Sequence, residues 1–195
     1  LLAEKAWEAG LARFADPDQL AAFLNRVAFA AEHSELEALG ERDARAALES
    51  LAVGLRSFAE LEAAARGGGL LRALQQRLSD PRRLDQVAPE RIRLPSGRAL
   101  RVHYSPGQRP WIASRLQDFF GLRQTPCIAG GKVGLVVHLL APNQRPIQVT
   151  SDLAGFWERH YPEVRRQLSR RYPRHPWPEN PLGRGSPAAS RRRSP

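Results

Sequence analysis

Between residues 3 and 78, apolar side chains recur every three or four positions. Trp7, Leu11 and Phe14 set the spacing from Ala3 to Ala15, and Leu20, Phe23, Leu24 and Val27 carry it into a second segment. This period predicts amphipathic helices, each burying one stripe. Asp16-Pro17 supplies an N-cap and a first-turn proline for the second helix. Leu48, Leu51 and Leu55 repeat the stripe between Asp43 and Arg56, and Ser57 and Glu60 match the S-x-x-E capping box of a further helix. Gly67-Gly68-Gly69 is expected to end that helix, and Leu70 to Leu78 reads as a last short one stopped by Asp80-Pro81.

From Pro89 the period falls to two. In "RIRLPSGRALRVHYS", Ile92, Leu94, Leu100, Val102 and Tyr104 alternate with Arg91, Arg93, Arg101 and His103 around a Pro95-Ser96-Gly97-Arg98 turn. The pattern predicts a β-hairpin with one buried and one basic face. Pro110 and Gly121 bracket a predicted helix with Ile112, Leu116 and Phe119 as its inward stripe, flanked by Trp111 and Phe120. "KVGLVVHLLAPNQRPIQVT" reads as a second hairpin. Its first strand is apolar without alternation and so is expected at the centre of the sheet, covered on both faces. The expected order is β-β-α-β-β-α, an α+β domain with helices on a mostly antiparallel sheet.

The last predicted helix begins at Leu153, capped by Ser151 or Asp152, and Pro162 either breaks it or starts a second helical segment after His160. A helical projection puts Tyr161, Val164, Leu168 and Tyr172 on one side and Arg166 and Arg170 on the other, with Arg165 and Arg171 at the borders. Beyond Tyr172 the chain is rich in proline and ends near Arg191-Arg192-Arg193, a composition that does not build its own core. "PRHPWPENP" is expected to lie along the domain through Trp177. The expected organisation is a helical module at 1–88, a basic α+β domain at 89–182 and a disordered basic tail at 183–195.

Charge sharpens this division. Of 195 residues, 42% are hydrophobic, enough for a core, and the net charge is +10. Leu1 to Asp80 hold 9 Lys/Arg against 13 Asp/Glu, whereas Pro81 to Pro195 hold 21 against 7. The second part therefore favours an anionic partner. Lys5 and Lys132 are the only lysines. Arginine suits phosphate recognition, although so strong a bias is also what a GC-rich coding sequence produces. The chain starts Leu-Leu, lacks methionine and carries no apolar signal stretch, which predicts a piece of a longer polypeptide, neither secreted nor membrane-spanning. The lone Cys127 suits a reducing cytoplasm.

Candidate chemistry is sparse. His103, His138 and His160 lack metal-ligand spacing, and no nucleophile, base and oxyanion hole assemble. Trp157, Tyr161 and Trp177 either stack on bases or serve as core, and the arginine faces either grip phosphate or are simply solvated.

Several runs, "PERIRLPSGRALRVHYS", "RLQDFFGLRQTP", "HLLAPNQRPIQVTSDLAGFWERHYPEVRRQLSRRYPRHPWPENP", "LNRVAFAAEH" and "GLRSFAEL", together resemble the C-terminal region of the bacterial HrpB family of ATP-dependent helicases, of the DEAH/RHA type. The resemblance covers roughly Leu20 to Leu182 and is most specific from Leu139 to Pro181. It implies an RNA-dependent, ATP-hydrolysing motor with its ATP and Mg, N-terminal to this piece. The motor's own signatures are missing here: Gly131-Lys132 is followed by Val133, Pro126 stands where a phosphate loop needs glycine, and there is no Asp-Glu-Ala-His box. The expectation is a noncatalytic accessory region, itself without cofactor, that helps hold RNA near the helicase core of the same polypeptide. Its candidate contacts are Arg91, Arg93, Arg101, Arg165, Arg166, Arg170 and Arg171. The alternative is a protein-docking module that binds the helicase core or a separate partner, with these arginines in interdomain ion pairs.

Overall fold

The computed structural model describes residues 2–183, so the expected tail at 183–195 lies, beyond its first residue, outside the described residues. The fold is α+β and divides into two compact units. One runs up to Ala88 and also takes in Tyr104–Pro106; the other comprises Pro89–His103 and the chain from Gly107 onward.

The first unit is helical: α1 (Leu2–Glu8), α2 (Pro17–His33), α3 (Glu41–Ala52), α4 (Phe58–Ala64), α5 (Leu70–Gln75) and α6 (Pro81–Val87). Its ends are set by side-chain caps. Asp16 accepts hydrogen bonds from the Asp18 and Gln19 amides ahead of Pro17, and Ser57 accepts one from Glu60. Asp80-Pro81 was expected only to stop a helix. Asp80 in fact caps α6 by accepting from the Arg83 amide, with Pro81 in its first turn. Phe14, Val27, Ala30, Leu48, Leu61, Leu70 and Leu74 form the core. Arg26 is buried among them, where Nε donates to the Ala88 carbonyl and Nη2 pairs with Asp85. Its guanidinium thus ties α2 to the end of α6.

The triple glycine does not end α4. It forms a π-type kink, Ala65–Gly69, between α4 and α5. Gly68 takes φ 79°, which favours glycine, and a Cβ at Gly69 would lie 2.2 Å from the Ala64 carbonyl oxygen.

The second unit opens with β1 (Arg91–Arg93) and β2 (Ala99–Arg101), antiparallel with Arg91 opposite Arg101 and Arg93 opposite Ala99. The main sheet is β3 (Trp111–Arg115), β6 (Val136–Leu140) and β7 (Pro146–Thr150), with β6 central as expected. β3 runs parallel to β6, and β7 antiparallel to it. β4 (Cys127–Ile128) and β5 (Val133–Gly134) form a small separate hairpin.

The expected helix from Pro110 to Gly121 is instead strand β3 followed by one 3-10 turn, Leu116–Phe119. Ile112 and Ser114 alternate inward along the strand, and Leu116 and Phe119 are buried by the turn. Positions 112, 116 and 119 therefore mimic a helical stripe while belonging to two different elements. Val136 donates its amide to the Pro110 carbonyl, beginning the parallel ladder where a helix had been expected.

After β7, Asp152 accepts from the Gly155 amide and caps α7 (Leu153–Gly155). The chain then passes through a π-turn, Phe156–His160, into α8 (Tyr161–Arg171). Pro162 brings no amide hydrogen to this run, and the Tyr161 amide reaches back five residues to the Phe156 carbonyl. Tyr161 and Leu168 face the core, as the projection predicts.

Gly69→Ala should destabilise the helical unit by about 1–3 kcal/mol, because the backbone carbonyl of Ala64 must move aside. Gly67→Ala, where a Cβ meets nothing within 4 Å, should stay within about 0.5 kcal/mol of the parent. Urea midpoints of the two variants check the contrast.

Candidate nucleic-acid interface

The hairpin β1–β2 brings its three arginines together. Arg91 and Arg101 are cross-strand partners, Arg93 follows two positions along the same face, and all three are exposed. None forms an ion pair within 4.0 Å among the described residues. Like charges directly opposite each other cost roughly 0.2–1 kcal/mol in a sheet. The opposite face carries Leu94, Leu100 and Val102, which are buried.

The arginines of α8 are placed differently. Arg165 is turned against the segment after the helix: its Nε donates to the Trp177 carbonyl at 3.0 Å and its Nη2 to Glu179 at 3.0 Å. Arg166 pairs with Glu163 one turn earlier at 2.6 Å, and the Arg171 guanidinium lies 5.7 Å from the Tyr172 ring centre. Arg170 is exposed and has no ion pair among the described residues.

Arg165 belongs to a latch that holds "PRHPWPENP" on the domain. Tyr161 donates its hydroxyl to the Pro178 carbonyl at 2.7 Å, Trp177 donates Nε1 to the Tyr172 carbonyl at 2.9 Å, and the Gly121 amide donates to the Pro181 carbonyl at 2.8 Å. Burial pushes the Tyr161 phenol up to about 12, so it remains a donor across the ordinary pH range. Trp157 is buried too, its indole donating to the Leu122 carbonyl. Trp157 and Tyr161 are therefore core residues and not an exposed platform.

An aromatic group that sequence spacing did not assemble stands on the outward side of the sheet. His103 bridges to Trp111 on β3, and Ala113 of β3 is in register with His138 of β6. The His103 and Trp111 rings stack at 3.9 Å with 9° between planes, and Trp111 and His138 at 4.5 Å with 16°. All three are half-buried. Burial, followed by the charge of Arg101 and by His138, holds the His103 imidazole below its ordinary value of 6.5. Arg115, exposed at the end of β3, was also missed, because the expected helix gave that strand no outward face.

The Gly130-Gly131-Lys132 segment does not have the geometry of a phosphate loop. Gly130-Gly131-Lys132 forms the turn between β4 and β5 and leads into a strand, so no helix N-terminus follows to receive phosphates. Cys127 is exposed on β4, and the described residues contain no group of three His, Cys, Asp or Glu side chains able to hold a metal ion. No helix among them is long and apolar enough to cross a membrane.

A helical unit followed by a small α+β unit with arginines on one sheet face is the architecture that the comparisons with known proteins have to account for. The family described as ATP-dependent helicase C-terminal, HrpB_C, matches residues 47–181, and the chain belongs to that family. It is 42% identical over 99 residues to the ATP-dependent RNA helicase HrpB of Escherichia coli (strain K12), a match that covers 51% of this chain and 12% of that protein. The fold is similar to the crystal structure of the E. coli DExH-box NTPase HrpB, with a TM-score of 0.79 and 30% identity over 95% of this chain and 24% of that one. It is also similar to the crystal structure of the Escherichia coli DEAH/RHA helicase HrpB, with a TM-score of 0.63 and 31% identity over 83% and 21% of the two chains. The chain thus spans about a quarter or less of the relatives it matches.

Arg165→Ala should loosen the latch without removing a nucleic-acid contact. Proteolytic cleavage within residues 172–182 should become faster, while affinity for single-stranded RNA changes less than about twofold, as for a side chain outside the contact set. A large loss of RNA affinity with unchanged proteolysis would assign Arg165 to the interface.

Proposed function

We propose that this region is a noncatalytic accessory part of an ATP-dependent RNA helicase and helps hold RNA near a motor in the same polypeptide. The motor, with its ATP and Mg, is the work of other segments. The observation that carries the reading is the arginine triad of the hairpin. Arg91, Arg93 and Arg101 are exposed on one face without an acidic partner among the described residues. Their mutual repulsion is relieved by an anion that approaches all three, and a phosphate backbone is such an anion. The name of the relative from Escherichia coli, an ATP-dependent RNA helicase, supports RNA as the polymer. A cytoplasmic setting agrees with the single free cysteine.

The local partners of α8 reorder the candidate contacts. Arg166 carries its own counter-ion in Glu163, and Arg165 serves the latch, which leaves Arg170 and, more weakly, Arg171 as the helix's contribution. The hairpin is the principal contact surface in this reading.

Changing Arg91, Arg93 and Arg101 together to alanine should weaken binding across unrelated single-stranded RNAs and flatten the dependence of log K on log salt by about 2 units. The pair Arg166→Ala and Arg170→Ala should flatten it by less than about 0.7. Fluorescence anisotropy titrations at several salt concentrations, with circular dichroism to check folding, measure both slopes. An unchanged slope in the folded triple variant would favour docking onto protein.

A further inference from the structure

The ring column on the outward side of the sheet is unexplained by packing alone. Adjacent strands lie about 4.8 Å apart, close to a comfortable ring-stacking distance. Trp111 and His138 stand on neighbouring strands and His103 on the segment bridged to Trp111, with their planes nearly parallel, so the column advances one ring per chain segment. Both faces of Trp111 are covered by its neighbours. The next strand is β7, at the edge of the sheet, and its residue in register with His138 is Val149. Val149 is 50% exposed, and Val53 is the other large hydrophobic residue this open among the described ones. Val149 offers only its γ-methyls beside the imidazole, and among the described residues His138 stacks on no ring but Trp111.

The column also continues the arginine face. Arg101 ends β2 and His103 follows it by two residues in an isolated bridge to Trp111, while Leu100 and Val102 beside and between them are buried. Arg91 lies opposite Arg101, and Arg115 projects from β3 on the side of Trp111 and Ala113. Cationic side chains therefore border the rings, with no carboxylate interleaved along these strands. A flat π-face beside unpaired arginines matches a nucleobase with its phosphate better than an apolar peptide.

We propose that the outer face of His138, together with Val149, is a seat on which one unpaired base of a single-stranded RNA stacks, extending the His103–Trp111–His138 column while neighbouring phosphates meet Arg101, Arg91 and Arg115. The seat deepens the RNA-holding reading and rests on it. It reads no base identity, because every base offers a π-face, and it selects single strands over duplexes, in which the bases are already stacked. Trp111 acts as a positioning residue: it fixes the plane of His138 without touching the base.

The test compares two fluorescein-labelled oligomers of about 12 nucleotides on the unaltered chain, oligouridylate and an abasic ribose-phosphate of equal length, a span suited to one small domain. The two have the same backbone charge. Oligouridylate should bind roughly fivefold or more tightly than the abasic oligomer at every salt concentration, with the same salt slope. His138→Ala should abolish that difference and keep the slope, and His138→Phe should restore the difference. Equal binding of the two oligomers to the unaltered chain overturns the seat while leaving the phosphate reading intact. A difference that persists in folded His138→Ala also overturns it, since the base then stacks elsewhere. Absence of binding by both oligomers overturns the RNA-holding reading and the seat with it.

Discussion

The parallel pairing of Trp111–Arg115 with Val136–Leu140 is the constraint on which the basic unit depends. A parallel pair cannot be closed by a tight turn, so residues 116–135 must carry the chain back to the start of the sheet. They do so by burying Leu116, Phe119 and Phe120 in and after the 3-10 turn, and by spending the remainder on the small β4–β5 hairpin. Register then decides both faces together. Ile112, Ser114, Val137 and Leu139 are buried on the inner side, which leaves Trp111 and His138 outward on adjacent strands. A slip of one residue would bury the rings and expose the valine and leucine, so the core that stabilises the sheet also enforces the ring column.

Polar contacts secure the same arrangement. Ser114, buried on β3, donates to Asp118 at 2.5 Å, and Asp118 receives Arg98 from the hairpin turn at 3.2 Å. Strand, 3-10 turn and hairpin are thereby joined around one carboxylate. Asp118 recruits Arg98 and leaves Arg91, Arg93 and Arg101 without a counter-ion among the described residues. The last helix follows the reverse rule: Glu163, Tyr172 and the chain after it supply partners for Arg166, Arg171 and Arg165. Two basic segments of similar composition thus differ in what their charges do, one braced internally and one left facing outward.

Those differences explain which parts of the fold were readable from the chain alone. The β1–β2 hairpin, the Asp16 and Asp152 caps, the central place of Val136–Leu140 and the buried Tyr161 and Leu168 are local patterns, written within a dozen residues each. The α+β class follows from them, and the run from Leu139 to Pro181 lies within the stretch, residues 47–181, that matches the family. Apart from the triple glycine, which kinks a helix where it was expected to end one, what failed was non-local. Positions 112, 116 and 119 imitate a helix because a strand residue and two residues of a 3-10 turn happen to share helical spacing, and only the distant partner strand breaks the tie. Arg165 projects as a border residue on any helical wheel, and its true partner, the Trp177 carbonyl, lies 12 residues away along an irregular segment. His103, Trp111 and His138 meet through strand register, which no sequence interval encodes.

The central claim is that the outward face of this sheet, rather than the last helix or the helical unit, meets RNA. Ultraviolet crosslinking of the whole chain to a single-stranded RNA, followed by mass spectrometry of the attached peptides, tests it most directly. The account predicts attachment within residues 91–115 and 136–150, whereas crosslinks confined to residues 2–88 or to 161–171 would contradict it.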